Sequence, residues 1–165
     1  KAYLDALPAV ASPSVQHALG FPWSVRRGVG LWQRLYLDTA PIIGVAEDNA
    51  ALQRGRALVE GVGHCGECHT PRNALGAMNS DRWLAGASNP DGPGRIPNIT
   101  PGAADIADWS ESDLAYYFES GFTPDWDTVG GSMVAVQENL ARLSDADRRA
   151  IAAYLKAVPA ISEQE

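Results

Sequence analysis

Three stretches of the chain carry apolar residues at helical spacing, each bounded by residues that start or stop helices. From Asn49 to about Glu60, the side chains of Leu52, Leu58 and Val59 fall near one face, as in an amphipathic helix. Gly55 lies on that face. A glycine inside a helix costs up to ~1 kcal/mol relative to alanine, so its position there predicts a close crossing with another helix. Ser110-Glu-Ser-Asp113 reads as a capping box with Asp in place of the usual Glu. It opens a helix through Leu114, Tyr117 and Phe118, which Gly121 is placed to end. Ser144-Asp-Ala-Asp147 opens a third, with Ile151, Leu155 and Val158 on one stripe and Tyr154 beside it. Residues 71–109 are rich in Pro, Gly and Asn and are expected to be loop with short helical turns. No segment alternates as a half-buried strand would. The pattern predicts an all-α fold.

The chemistry lies just beyond the first helix. Cys65-Gly-Glu-Cys68-His69 contains the only two cysteines of the chain. Thiols at i and i+3 share one face of a helical turn, so both can form thioethers to the vinyl groups of a single porphyrin. His69 follows at once and is placed to bring an imidazole nitrogen to the iron from the same side. A structural zinc site normally needs four Cys or His ligands, and the other histidines are only His17 and His64. A thioredoxin-like pair has no use for His69 and belongs in a βαβ pattern that is absent here. The motif predicts one covalent haem c, bound through Cys65 and Cys68 and serving as part of the core.

A low-spin c haem takes a second axial ligand, usually Met or His. The two methionines are Met78 and Met133. Met78 leaves the attachment helix on the side of His69, where packing or loop is the expected role. Met133 ends Val129-Gly-Gly-Ser-Met133, a glycine-bearing approach able to bring a thioether over the porphyrin, and is favoured. The alternative is that Met133 fills a core gap at the start of a helix. His64 directly precedes Cys65, and His17 is distant in sequence. Arg72, Asn73, Arg95, Asn98 and Trp109 fall in loops where haem propionates need partners, although each arginine reads equally as a solvated surface charge. Pro97 and Ile99 are expected to wall the haem.

Length and charge divide the chain. At 165 residues there is room for one haem domain of roughly 100–120 residues and a further element. Residues 1–44 carry net charge +2 and residues 45–165 net −9. Ala2-Tyr-Leu-Asp-Ala-Leu-Pro-Ala-Val10 recurs as Ala153-Tyr-Leu-Lys-Ala-Val-Pro-Ala-Ile161, identical at six of nine positions. Residues 1–10 therefore read as the end of the last helix of a preceding domain absent from this chain. Residues 11–44 read as a connector, 45–161 as the haem domain and 162–165 as a tail. Trp23, Trp32 and Tyr36 are too many large rings for a floppy linker, so the connector is expected to be ordered, with its aromatics packed against a neighbouring domain. No apolar run approaches the ~18–20 residues of a membrane helix. Attachment of haem to CxxCH implies export, so a periplasmic location is expected, with membrane association only through missing segments or partner subunits. Negative charge argues against nucleic-acid binding. Seven acids and no Lys or Arg lie between Asp105 and Asp127, either a solvated face or a rim that steers a basic redox partner.

These residues resemble the class I cytochrome c pattern. They are most similar to the multihaem cytochrome c subunits of bacterial membrane-bound dehydrogenases acting on alcohol, gluconate or fructose. The stretches that carry the resemblance are Gly63–Asn73, Leu84-Ala-Gly86, Pro97-Asn-Ile-Thr-Pro101, Asp108-Trp-Ser110, Gly121-Phe-Thr-Pro124 and Val129–Met133, with Phe21-Pro-Trp and Arg26 in the connector. The resemblance implies His69 as proximal and Met133 as distal ligand. It also implies an electron carrier, not an enzyme, working between a dehydrogenase subunit and an oxidase or quinone-linked acceptor. One CxxCH departs from the two or three of that family. The rival reading is a haem enzyme, peroxidase-like or thiosulfate-oxidising, with a displaceable distal ligand.

Overall fold

The structure is a computed structural model and describes residues 2–90 and 92–162. The chain forms two compact units, one ending at Thr39 and one beginning at Ala40. In the first, α1 (Ala2–Asp5) is one turn and α2 (Arg27–Tyr36) is a ten-residue amphipathic helix. Val29, Leu31, Trp32, Leu35 and Tyr36 gather on one side of α2 and Arg27 and Arg34 on the other, as the helical repeat requires. Trp32 and Tyr36 lie 5.5 Å apart. No described residue of this unit is buried within the chain, and Trp23 is 55 % exposed.

The second unit is built on helices α3 (Ala50–Arg56), α4 (Gly66–His69), α5 (Ala104–Asp108), α6 (Glu111–Ser120), α7 (Met133–Leu140) and α8 (Asp145–Ala157). The first helix expected from sequence is α3, capped by the Asn49 side chain, which accepts from Leu52 N at 3.0 Å. Beyond Arg56 it loosens into a π-helical turn, Ala57–Val62. The capping box at Ser110 is complete in both directions, and Gly121 ends α6 with φ 78°. There only glycine avoids the left-handed penalty. Ser144 caps α8 by accepting from Asp147 N at 3.1 Å. Residues 71–109 are loop with short turns, and they also hold a two-stranded antiparallel ladder, β1 (Ala87–Ser88) with β2 (Arg95–Ile96). Two residues per strand are too few to show alternation, so the ladder leaves no sequence pattern.

The core is the crossing of α3 with α8, closed by α6. Leu58, Val59, Leu84, Leu114, Phe118, Ile151, Tyr154 and Leu155 form one buried cluster. A Cβ on Gly55 would stand 2.0 Å from the Ala150 carbonyl oxygen, so the crossing needs glycine. Arg54 and Asp147 bridge its rim at 2.7 Å. Residues 40–46 are tied to this unit rather than to the connector. Glu60 accepts from Ile42 N and Ile43 N, each at 3.0 Å, and from the Tyr154 hydroxyl at 2.6 Å. Gln53 donates to the Val45 and Ala46 carbonyls. Of the expected tail, residues 163–165 lie outside the described residues.

Candidate functional site

The CxxCH segment forms α4, a single turn launched from the π-helix. Cys65 N donates to Val59 O at 3.1 Å, and His69 N donates to Cys65 O at 3.0 Å. Both thiols are free of any disulfide, Cys65 half-buried and Cys68 exposed. Burial pushes the Cys65 thiol up to about 11, so it is protonated at neutral pH. Gly66, between them, faces the Trp83 ring so closely that a Cβ would fall 2.0 Å from Cζ3. The turn can therefore rest on a buried indole only because that position lacks a side chain.

His69 is fixed from its far side. Its Nδ1 lies 2.8 Å from the Pro97 carbonyl. A carbonyl only accepts, so Nδ1 carries the hydrogen and Nε2 keeps its lone pair. Burial holds the imidazole below its ordinary pKa, partly opposed by the Pro97 bond, and keeps the ring neutral at pH 7. The loop carrying Pro97 is itself anchored. Gly86 N donates to His69 O at 2.7 Å, Leu84 N to Thr70 Oγ1 at 3.0 Å, and Ile99 N to Leu84 O at 2.9 Å. Thr70 and Leu84 are fully buried.

The other candidates are spread around this turn. Met133 is half-buried at the first position of α7, and Met78 is 36 % exposed opposite Arg72 on a short hairpin. Arg72 donates to Gly76 O at 2.7 Å and pairs with Glu67. Asn73 closes its own turn, its Oδ1 accepting from Leu75 N and Ala77 N. Asn98 is buried, with Nδ2 donating to Ile161 O at 2.7 Å and Oδ1 accepting from Thr100 N and Oγ1. Arg95 is exposed on β2, Pro97 is exposed, and Ile99 packs against the core. Trp109 packs on Tyr117 with ring centroids 5.5 Å apart. Among the described residues no group of three or more His, Cys, Asp or Glu could hold a metal ion.

Two thiols and an imidazole with its Nδ1 already occupied lie together on one turn, with a glycine at its contact with Trp83. The family model for cytochrome c matches residues 52–159. The chain belongs to the cytochrome c family. Membership implies a covalent haem c, and the mostly helical second unit is consistent with the class I fold. Among curated relatives, a diheme cytochrome c-type protein of Cereibacter sphaeroides is 54 % identical over 162 residues, covering 98 % of this chain and 53 % of that protein. The fructose dehydrogenase cytochrome subunit of Gluconobacter japonicus is 40 % identical, covering 93 % of this chain and 32 % of the subunit. The gluconate 2-dehydrogenase cytochrome c subunit of Pantoea cypripedii is 32 % identical, covering 96 % and 38 %. The chain thus spans about half the length of the first relative and about a third of the other two.

Sequence reasoning passed over two residues of this cytochrome c domain. Trp83 is 3 % exposed beneath α4, and its indole N–H has no hydrogen-bond partner among the described residues. Burial, with the Glu60 carboxylate beside it, pushes the Tyr154 phenol above its ordinary pKa, and Trp83 opposes that push. Glu60 holds Tyr154 from the other side. Trp83 has no helical period around it to reveal it, and Glu60 reads as an ordinary surface acid beside the motif. Among the described residues no helix is long and apolar enough to cross a membrane.

Proposed function

We propose that this chain is a one-electron carrier, with haem c bound through Cys65 and Cys68 and with His69 and Met133 as axial ligands. The observation that carries the reading is the α4 turn, which offers both thiols and an imidazole whose Nδ1 is committed to Pro97. A bound haem c supplies reversible one-electron exchange at iron. The chain's own residues do the rest. The Pro97 carbonyl fixes the tautomer and orientation of His69 and makes it a better donor. Gly66 lets α4 settle on Trp83. Pro97 and Ile99 wall the group and limit water. Arg72, Asn73, Arg95, Asn98 and Trp109 are the polar residues proposed for its propionates. Of these, Asn98 is already committed to Ile161 and Thr100, whereas the exposed Arg95 can turn without breaking such an anchor.

The relatives support a place between a periplasmic dehydrogenase and the respiratory chain, since two bear the names of dehydrogenase cytochrome subunits. The 54 % identical relative is a diheme protein about twice as long, which supports residues 1–10 as the end of a preceding haem domain and the residues that follow as its connector; of the expected 11–44, residues 40–44 belong to the second unit. The apolar side of α2 is the face proposed to meet that domain. Denaturing mass spectrometry tests the attachment, and the haem mass should stay on the polypeptide. The oxidised protein should show the weak red Met–iron charge-transfer band. Met133→Ala should abolish that band and Met78→Ala should leave it. Loss of haem on denaturation, or a band removed only by Met78→Ala, overturns the corresponding part of the reading.

A further inference from the structure

The hairpin that leads into Met133 holds two aromatic rings out in solvent. Phe122 pairs with Thr128 across an isolated bridge, and the chain turns through Thr123–Asp127. Thr123 N donates to Asp127 O at 2.9 Å, Trp126 N to Thr123 O at 3.0 Å, and Asp127 N to Thr123 Oγ1 at 3.0 Å. Thr128 N donates to Asp127 Oδ1 at 2.7 Å, and Val129 N closes the base on Gly121 O at 2.8 Å. Trp126 sits in this frame with φ 65°, a left-handed conformation that is a genuine outlier for a bulky residue. The turn thus fixes the backbone that carries the indole. Trp126 is 77 % exposed and Phe122 40 %, with centroids 6.5 Å apart.

Two acids with no ion pair among the described residues frame the rings. Asp125 and Asp127 flank Trp126 and are exposed, and along the sequence no Lys or Arg occurs between Arg95 and Arg142; Glu119, just before the hairpin, is paired with Arg148. A tryptophan and a phenylalanine offer on the order of 250 Å² of aromatic surface. An aromatic centre with a charged rim is the composition of a protein-docking patch, and tryptophan leads the residue types that carry binding energy. An acidic rim attracts a basic partner over distance and repels an acidic one.

We infer that the Phe122–Trp126 hairpin, with Asp125 and Asp127, is the docking surface for a redox protein that presents basic residues around an apolar patch. The inference rests on the carrier reading, and its test separates the two. In the holoprotein, electron transfer to a basic class I cytochrome c is followed by stopped flow at low salt, with benzoquinone as a small uncharged oxidant for comparison. Trp126→Ala should slow the reaction with the basic cytochrome by about fivefold or more and leave the optical spectrum and the benzoquinone rate as in wild type. Asp125→Asn with Asp127→Asn should slow it at low salt and flatten its salt dependence. An unchanged cytochrome rate in Trp126→Ala overturns the inference. So does a joint change in the spectrum and the benzoquinone rate, because Trp126 would then be covering the haem of its own chain. A wild-type protein that exchanges no electrons with benzoquinone brings down the carrier reading itself.

Discussion

Replacing Gly55 with alanine should destabilise the haem domain, although alanine is the better helix former. The added Cβ would stand 2.0 Å from the Ala150 carbonyl oxygen, 2.8 Å from Ala150 C and 2.8 Å from Tyr154 Cβ, where ordinary contacts begin at 3.4 Å. The first two are backbone atoms of α8, so no rotamer change relieves them. The α3 and α8 axes would have to part by well over an ångström, loosening the packing of Ile151, Tyr154 and Leu155. Helix propensity returns up to ~1 kcal/mol, against roughly 1–3 kcal/mol or more for overpacking with partial loss of core contact. A 2.0 Å clash with backbone places the site at the upper end of that range, so the net loss is about 2 kcal/mol, a fall in melting temperature of roughly 6–10 °C for a domain of this size. Gly61→Ala is the internal control, since nothing lies within 4 Å of the place its methyl group would take. It should be neutral or slightly stabilising. Thermal and urea unfolding of both holoproteins, followed by far-ultraviolet circular dichroism, decide the matter. A Gly55→Ala midpoint equal to that of Gly61→Ala would falsify the account of the crossing.

Two further outcomes follow from the hydrogen bonds around that crossing. Tyr154→Phe removes a hydroxyl that donates to Glu60 at 2.6 Å and should cost about 1.5–3 kcal/mol; in a double-mutant cycle with Glu60→Gln the two losses should not add. Amide exchange at Ile42 and Ile43 should rise in Glu60→Gln, and unchanged protection there removes Glu60 as the anchor of that segment. Asp147 is held below the usual carboxylate range by its bond to Arg54. A depressed carboxylate contributes stability above its unfolded pKa and loses it as pH falls through the folded value. Asp147→Asn should therefore flatten the decline of stability below about pH 4 and leave its slope near pH 7 as in wild type; an unaltered acid limb rejects the pairing as a source of stability.

Legibility from sequence followed the range of the interaction. Asn49, Ser110 and Ser144 cap the helices they precede, and Gly121 takes the left-handed ending expected of it. These devices act within four residues, so the local chain reveals them. Gly55 was legible for a different reason, because a costly residue inside a good helix implies a compensating contact. The π-helical turn was hidden, since widening a helix by one residue per turn leaves the composition unchanged. The pairing of His69 with Pro97 spans 28 residues, and no spacing rule connects them. Trp83 was hidden because its partner is a glycine, whose lack of a side chain carries no sign of what fills the space.

Several of the residues proposed to line the haem, such as Pro97 and Asn98, sit on loops, and buried polar side chains explain how those loops keep their shape. Thr70, Asn98, Thr100, Gln137 and Arg148 are the buried polar or charged side chains among the described residues. Thr70 receives Leu84 N, while Asn98 and Thr100 hold Ile161 against the segment that carries Pro97. Gln137 donates to Phe118 O and Glu119 O, which ties α7, with Met133 at its start, to the end of α6. Arg148 donates to Ala141 O and Leu143 O and pairs with Glu119 at 3.2 Å, fixing the turn between α7 and α8. Each of these groups would be costly to bury without its partner, so each tolerates one loop position and penalises the rest. Apolar packing alone is non-directional and would let such loops slide. The polar anchors instead set the Pro97 segment and the start of α7 at fixed places, the condition that the proposed pair of axial ligands, His69 and Met133, requires if both are to meet one iron without rearrangement when an electron arrives.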